Sequence, residues 1–238
     1  MNTVKAVLTG HSRGLGAAIA AELAGRGIPV LALARQQGAD MAGVTQVALD
    51  LSDTAALSAW LAGGALQAFL ADAGSALLIN NAGMLQPVGP LPGHEPAEVA
   101  RAISLNVAAP LMLAAAVAAT GAAERRVLHV SSGAGRNAYP GWAVYCAGKA
   151  ALDHHARAAA LDQTPGLRIV SLAPGVIDTD MQAQIRATDA GQFPLLEQFR
   201  ALKANGALVS PADCAQKLVA FALSPSFGTA AVADLRDF

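Results

Sequence analysis

The chain has 238 residues, with 16 Lys+Arg against 17 Asp+Glu and a formal net charge of −1. That length suits one α/β domain, and the balanced charge, with no basic stripe or charged tail, excludes nucleic acid and anionic membrane as expected partners. The hydrophobic share of 54% is inflated by 57 alanines, and the longest strictly apolar run, Leu111–Ala119, falls short of the roughly 20 residues a bilayer span needs.

Near the N-terminus, Lys5 is followed only by Ala6, Val7 and Leu8 before polar residues intervene, which is no secretory leader, so a cytoplasmic location is expected. Short apolar runs near 4–8, 29–34, 45–49, 75–80, 125–131 and 167–173 read as strands, with a last candidate near 229–235. Alanine-rich stretches near 14–26, 53–72, 95–120, 141–162, 180–202 and 211–223 read as helices. Strict alternation of the two predicts βαβ units, hence a single-domain α/β fold over 1–238: a doubly wound parallel sheet of about seven strands with helices on both faces. Cys146 and Cys214 fall on predicted helices without CxxC spacing and read as reduced core thiols. The five histidines show no HxxxH or HExxH spacing, so no metal is expected, and His154 and His155 read as solvated or interface residues.

The first strand runs into Thr9-Gly10-His11-Ser12-Arg13-Gly14-Leu15-Gly16 and then a helix. Glycines there let the backbone turn and approach a pyrophosphate, whose charge is met by N–H groups and the positive end of the helix dipole. Gly10 to Gly14 also spells the GxSxG elbow of α/β hydrolases with Ser12 as nucleophile. Only nine residues precede Gly10, though, which leaves no earlier strand to supply the oxyanion loop. An NAD site would place Asp or Glu at the end of the second strand; Arg35 stands there instead. With Arg13 and Ser12 it makes a set suited to a 2′-phosphate, which points to NADP(H); the alternative is a solvated Arg35 with nearby Asp40 serving NAD.

Tyr145 and Lys149 are four apart on a predicted helix and share a face, so an ammonium near the phenol is expected to lower the tyrosine pKa toward neutral acid–base work. Ser132 ends the preceding strand, placed to hydrogen-bond a substrate oxygen.

Together these residues resemble the short-chain dehydrogenase/reductase family over nearly the whole chain. The matching motifs are Thr9, Gly10, Gly14 and Gly16; Asp50-Leu51; Asn80-Asn81-Ala82-Gly83; Asn106; Ser132, Tyr145 and Lys149; and Pro174-Gly175 with Thr179. The resemblance implies a Rossmann-type fold and catalysis by Asn106, Ser132, Tyr145 and Lys149. Tyr145 would donate a proton to a carbonyl oxygen held by Ser132, Lys149 would grip the nicotinamide ribose, and Asn106 would anchor a relay water. It further implies a cofactor site that includes Leu15, Leu51, Asn81, Ala82, Gly83, Ile177 and Met181, and a substrate pocket from the C-terminal part, about 174–238.

Within the family, Gly141–Ala151, Ala173–Gln182 and Leu202–Leu218 are most similar to sepiapterin reductases and benzil-reductase-type carbonyl reductases. That similarity implies a small-molecule carbonyl substrate, with Asp234 as anchor for a pterin edge and Trp142 beside the pocket. The alternative on the same fold is a non-catalytic NADP(H)-binding sensor. Alanines along 95–120 and 141–162, helices through which the family commonly pairs, lead to an expected homodimer or homotetramer.

Overall fold

The computed structural model describes residues 3–189 and 191–238. Seven strands, β1 (Val4–Thr9), β2 (Val30–Ala34), β3 (Val44–Ala48), β4 (Ser75–Asn80), β5 (Glu124–Val130), β6 (Leu167–Ala173) and β7 (Val232–Asp234), form one sheet in the order β3-β2-β1-β4-β5-β6-β7. Every pairing is parallel, as predicted. The strand order reverses between β1 and β4, and in open α/β sheets ligands bind at the carboxyl ends of the strands beside such a reversal.

The pleat sends neighbouring residues to opposite faces, and each face has its own core. Ala6, Leu8, Val30, Leu77 and Leu128 pack against α1 (Gly14–Gly25) and α9 (Pro211–Leu223). Val7, Leu31, Leu78 and Val127 pack against α2 (Thr54–Ala62), α3 (Ala65–Leu70), α5 (Ala109–Ala118) and Ala156 of α6 (Ala143–Leu161).

Three predicted helices are broken, each by a residue the helix cannot absorb. The 53–72 stretch divides at Gly63-Gly64, with Gly64 at φ +78°. The 95–120 stretch runs as α4 (Pro96–Ile103), a π turn (Ser104–Ala108) and α5, because Pro110 has no N–H to return to the Asn106 carbonyl. The 180–202 stretch becomes α7 (Asp180–Arg186) and α8 (Leu196–Ala204), separated by a loop that contains Gly191 and Pro194. The Pro96–Ala118 stretch is long and apolar enough to cross a bilayer, with mean hydropathy 1.6. A rule based on strict apolar runs does not find it because Glu98, Arg101, Ser104, Asn106 and Pro110 interrupt the stretch. In the fold its buried residues Ala109, Leu113, Ala114 and Val117 belong to the core under the sheet.

Candidate active site

The loop after β1 is shaped by close backbone approach. Gly10 (φ +72°) and Gly14 (φ +55°) adopt left-handed conformations. A Cβ on Gly10 would lie 2.9 Å from the Ala82 Cα, and one on Gly16 would lie 1.9 Å from the Gly10 carbonyl oxygen. The Thr9 hydroxyl accepts from the backbone N–H groups of Asn81 (3.0 Å) and Ala82 (2.9 Å), and the Asn81 amide donates to the Thr9 and Gly10 carbonyls. The segment Asn81–Gly83 is thereby held against the loop. Helix α1, which starts with Gly14, Leu15 and Gly16, has neither a side-chain cap nor an acidic residue in its first turn. Its orphan N–H groups and positive dipole end fit a dinucleotide pyrophosphate, and the close packing of the loop on the helix start leaves no space for a Cβ at Gly16.

On the adenosine side, Arg35 stands exposed beyond β2. Burial raises the Asp50 pKa, but hydrogen bonds from Ser52 and the charges of Arg35 and Arg101 outweigh it and hold the carboxyl below its usual value. Leu51 is buried beside it. Ser12 lies under the chain at Gly38, where a Cβ would sit 3.4 Å from the Ser12 Cα. A latch that the sequence reading missed closes this corner: Gln46 Oε1 meets His11 Nε2 at 2.8 Å and accepts from Gly38 N–H at 2.7 Å. Arg13 pairs with Asp180 at 3.2 Å across exposed surface, which ties the glycine loop to the start of α7. An exposed pair of this kind contributes at most about 1 kcal/mol and yields easily to a better anion.

At the end of β5, Ser132 caps a short turn, its hydroxyl accepting from Ala134 N–H at 3.2 Å. Tyr145 and Lys149 lie one turn apart on α6, 8% and 5% exposed. The Lys149 ammonium donates to the Val130 carbonyl at 2.7 Å and lies 5.6 Å from the centre of the Tyr145 ring. The expected lowering of the tyrosine pKa is not what this geometry gives. Burial pushes it up to about 12, with the Ser132 hydroxyl opposing. Burial also brings Lys149 down to about 8, with Asp153 opposing. Spacing revealed that the two groups share a face; it did not reveal that both are almost dry, and burial governs both shifts.

Asn106 sits in the π turn, and both halves of its amide are taken by Met84: Oδ1 accepts from the backbone N–H at 2.9 Å and Nδ2 donates to the carbonyl at 2.8 Å. It therefore fastens the chain after Gly83 to the α4–α5 bend. Gly83 itself leaves room beside the lysine, since a Cβ there would lie 3.7 Å from the Lys149 Nζ.

The nicotinamide-side motif follows β6. Gly175 has φ +86°, Ile177 bridges to Val209, and Thr179, at the N-terminal boundary of α7 without capping it by its side chain, has its methyl 3.5 Å from where a Gly14 Cβ would be. Above Tyr145, Trp142 stacks on Phe193 at 4.6 Å between ring centres. Phe199, Leu196, Ile185 and Leu85 complete the cluster, with Met181 at its edge. Phe193 and Phe199 escaped the sequence reading because no motif marks them. Cys146 is only partly buried rather than a core thiol, while burial pushes the Cys214 thiol up to about 11. His155 also departs from expectation. Its Nδ1 lies 3.1 Å from Nε2 of His129, a fully buried histidine brought down to about 3 mainly by desolvation.

Asp234 is held by two arginines. One carboxylate oxygen accepts from Arg236 N–H and Nε, and the other accepts from Arg236 Nη2 at 2.6 Å, with Arg136 Nη1 at 3.8 Å. It lines an open cleft of about 420 Å³ with Arg136, Arg157 and Asp237, whose walls include neither Ser132 nor Tyr145.

A family model described as short chain dehydrogenase matches residues 4–190. Benzil reductase ((S)-benzoin forming) of Bacillus cereus is 33% identical over 219 residues, 86% of this chain and 88% of that protein. Sepiapterin reductase of Meriones unguiculatus is 35% identical over 254 residues, covering 97% and 95% of the two chains. A crystal structure of a short-chain dehydrogenase/reductase from Burkholderia vietnamiensis shares 47% identity with a TM-score of 0.72, over 100% of this chain and 99% of that one.

Proposed function

The chain belongs to the short-chain dehydrogenase family of oxidoreductases, which work with nicotinamide cofactors, and from that premise we propose that it reduces a carbonyl to an alcohol with NADPH. The observation that carries this reading is the buried Tyr145 beside Ser132 at the carboxyl end of β5. Burial raises the Tyr145 pKa to about 12, so the phenol is protonated at neutral pH, the state from which it can give a proton to a carbonyl oxygen. The bound dinucleotide supplies hydride. Ser132 holds the substrate oxygen by its hydroxyl, Tyr145 delivers the proton to that oxygen, and Lys149, with two donors beyond its bond to Val130, takes the ribose hydroxyls and keeps a positive charge beside the phenol. The aromatic cluster excludes water from this corner, which strengthens each of these contacts.

The choice of NADPH rests on Arg35, Ser12 and Arg13 at the adenosine end, with no acid at the end of β2. The likeness to benzil and sepiapterin reductases supports a flat aromatic ketone, vicinal diketone or pterin side-chain carbonyl as substrate, with the packed rings of Trp142, Phe193 and Phe199 next to Tyr145. Loss of NADPH absorbance with benzil, sepiapterin and simple diketones, beside NADH controls, tests the reading. Turnover with aromatic dicarbonyls and a preference for NADPH are expected; tight NADPH binding with no turnover on any carbonyl would leave a sensor instead. Asp234→Asn tests the pterin anchor, which requires a loss confined to sepiapterin. The partly buried, apolar Pro96–Ala118 stretch supports pairing of two copies through α4, α5 and α6, so light scattering should give a dimer or tetramer mass.

A further inference from the structure

Asp153 lies one helical turn beyond Lys149 on α6 and is 1% exposed. One carboxylate oxygen accepts from the Ser131 hydroxyl at 2.8 Å and the Ser171 hydroxyl at 2.6 Å; the other accepts from Arg136 Nε at 3.1 Å. Arg136 then donates through Nη2 to the Ala233 carbonyl at 2.8 Å. A single carboxylate thus joins α6, the corner after β5, β6 and, through Arg136, β7. Ser131 is the residue before Ser132. Gly135 brings the corner close to α6, since a Cβ there would lie 2.9 Å from the Lys149 carbonyl oxygen and 3.2 Å from the Ser131 hydroxyl.

A buried carboxylate is costly to retain, and apolar side chains would pack the same space. Here it is partnered on both oxygens; Ser131 leads to Ser132, and its own helix carries Tyr145 and Lys149.

We infer that Asp153 is a positioning residue: its carboxylate, through Ser131, Ser171 and Arg136, holds the Ser131–Ser132 corner in register with the Tyr145–Lys149 face of α6. For the identity of the reaction this rests on the carbonyl-reductase reading above; for the linkage it rests on the contacts alone. Asp153 also sustains the charge of Lys149 against its burial. The other titratable groups facing Lys149 are Tyr145 from the same helix and His129 from β5, while Arg136 faces Asp153 from the corner.

The test compares Asp153→Asn, which keeps shape and one acceptor but loses the charge, with Ser131→Ala, which keeps the charge but cuts the link. Both variants are first confirmed folded by thermal unfolding. Steady-state kinetics are then read beside NMR titration of protein carrying ¹³C-labelled lysine, in which only Lys5, Lys149, Lys203 and Lys217 report. Asp153→Asn should lower kcat by roughly tenfold or more, because small misplacements of reacting groups are expensive, with KM for NADPH within about twofold. It should also shift the Lys149 midpoint down while the other three lysines hold. Ser131→Ala should lower kcat and leave the Lys149 midpoint in place.

Wild-type kcat in either folded variant, or an unmoved Lys149 midpoint in Asp153→Asn, would reduce the network to a structural tie and overturn the inference. Should Asp153→Asn not fold, Ser131→Ala decides by kcat. Should the wild type reduce no carbonyl, the reading of the reaction fails, and the lysine titration still decides the linkage.

Discussion

In the loop after β1 Gly10 lies against Ala82 and Gly16 against Gly10, backbone on backbone; over Tyr145 Trp142 stacks on Phe193, side chain on side chain. The first arrangement tolerates no Cβ at its closest points, so it leaves an indelible pattern of glycines at fixed spacing. The second tolerates many combinations of apolar residues of similar volume, so it leaves no spacing at all. A region built by close backbone approach can be recognised from sequence, whereas one built by side-chain packing has to be seen folded.

Substitutions in the two regions should therefore fail in different ways. The largest effect is expected at Gly16→Ala, where the new Cβ meets a backbone oxygen that cannot yield. No measurable NADPH binding by fluorescence titration should remain, and binding within tenfold of wild type would break the contrast. Next comes Phe193→Ala, which empties a fully buried ring and should cost about 3–5 kcal/mol of stability in denaturant unfolding. In the fraction that remains folded, KM for an aromatic ketone should change while NADPH affinity holds. A change in NADPH affinity alone would place Phe193 in the wrong region. The smallest effect is expected at Arg35→Asp, which exchanges an exposed guanidinium for a carboxylate. The NADPH-to-NADH preference should fall by about tenfold or more, the range for loss of a charge-assisted hydrogen bond, without loss of stability. An unchanged ratio would remove Arg35 from the phosphate site.

How much was legible follows the same division. The parallel, doubly wound sheet was implied by alternation and the right-handed crossover, its strand order was not, and all seven strands sit close to where apolar runs place them, β7 being shorter because Asp234 turns the chain onto Arg236. The helix breaks were written in Gly63-Gly64, Pro110 and Pro194, but alanine-rich flanks masked them. Ser132, Tyr145 and Lys149 announced themselves by spacing, while the sign of the Tyr145 shift did not, because spacing carries no information about water. The Asp153 network and the His129–His155 contact join residues on different elements, where no periodicity points from one partner to the other.

The central claim is that the Tyr145 hydroxyl delivers the proton at a site whose cofactor half is made independently of it. Tyr145→Phe removes that hydroxyl and leaves the glycine loop untouched. NADPH oxidation with benzil should then fall by about 10²–10⁴-fold, the usual worth of a positioned general acid, while NADPH binding measured by fluorescence titration stays within about twofold of wild type. Retained turnover in Tyr145→Phe, at NADPH saturation, would contradict the account.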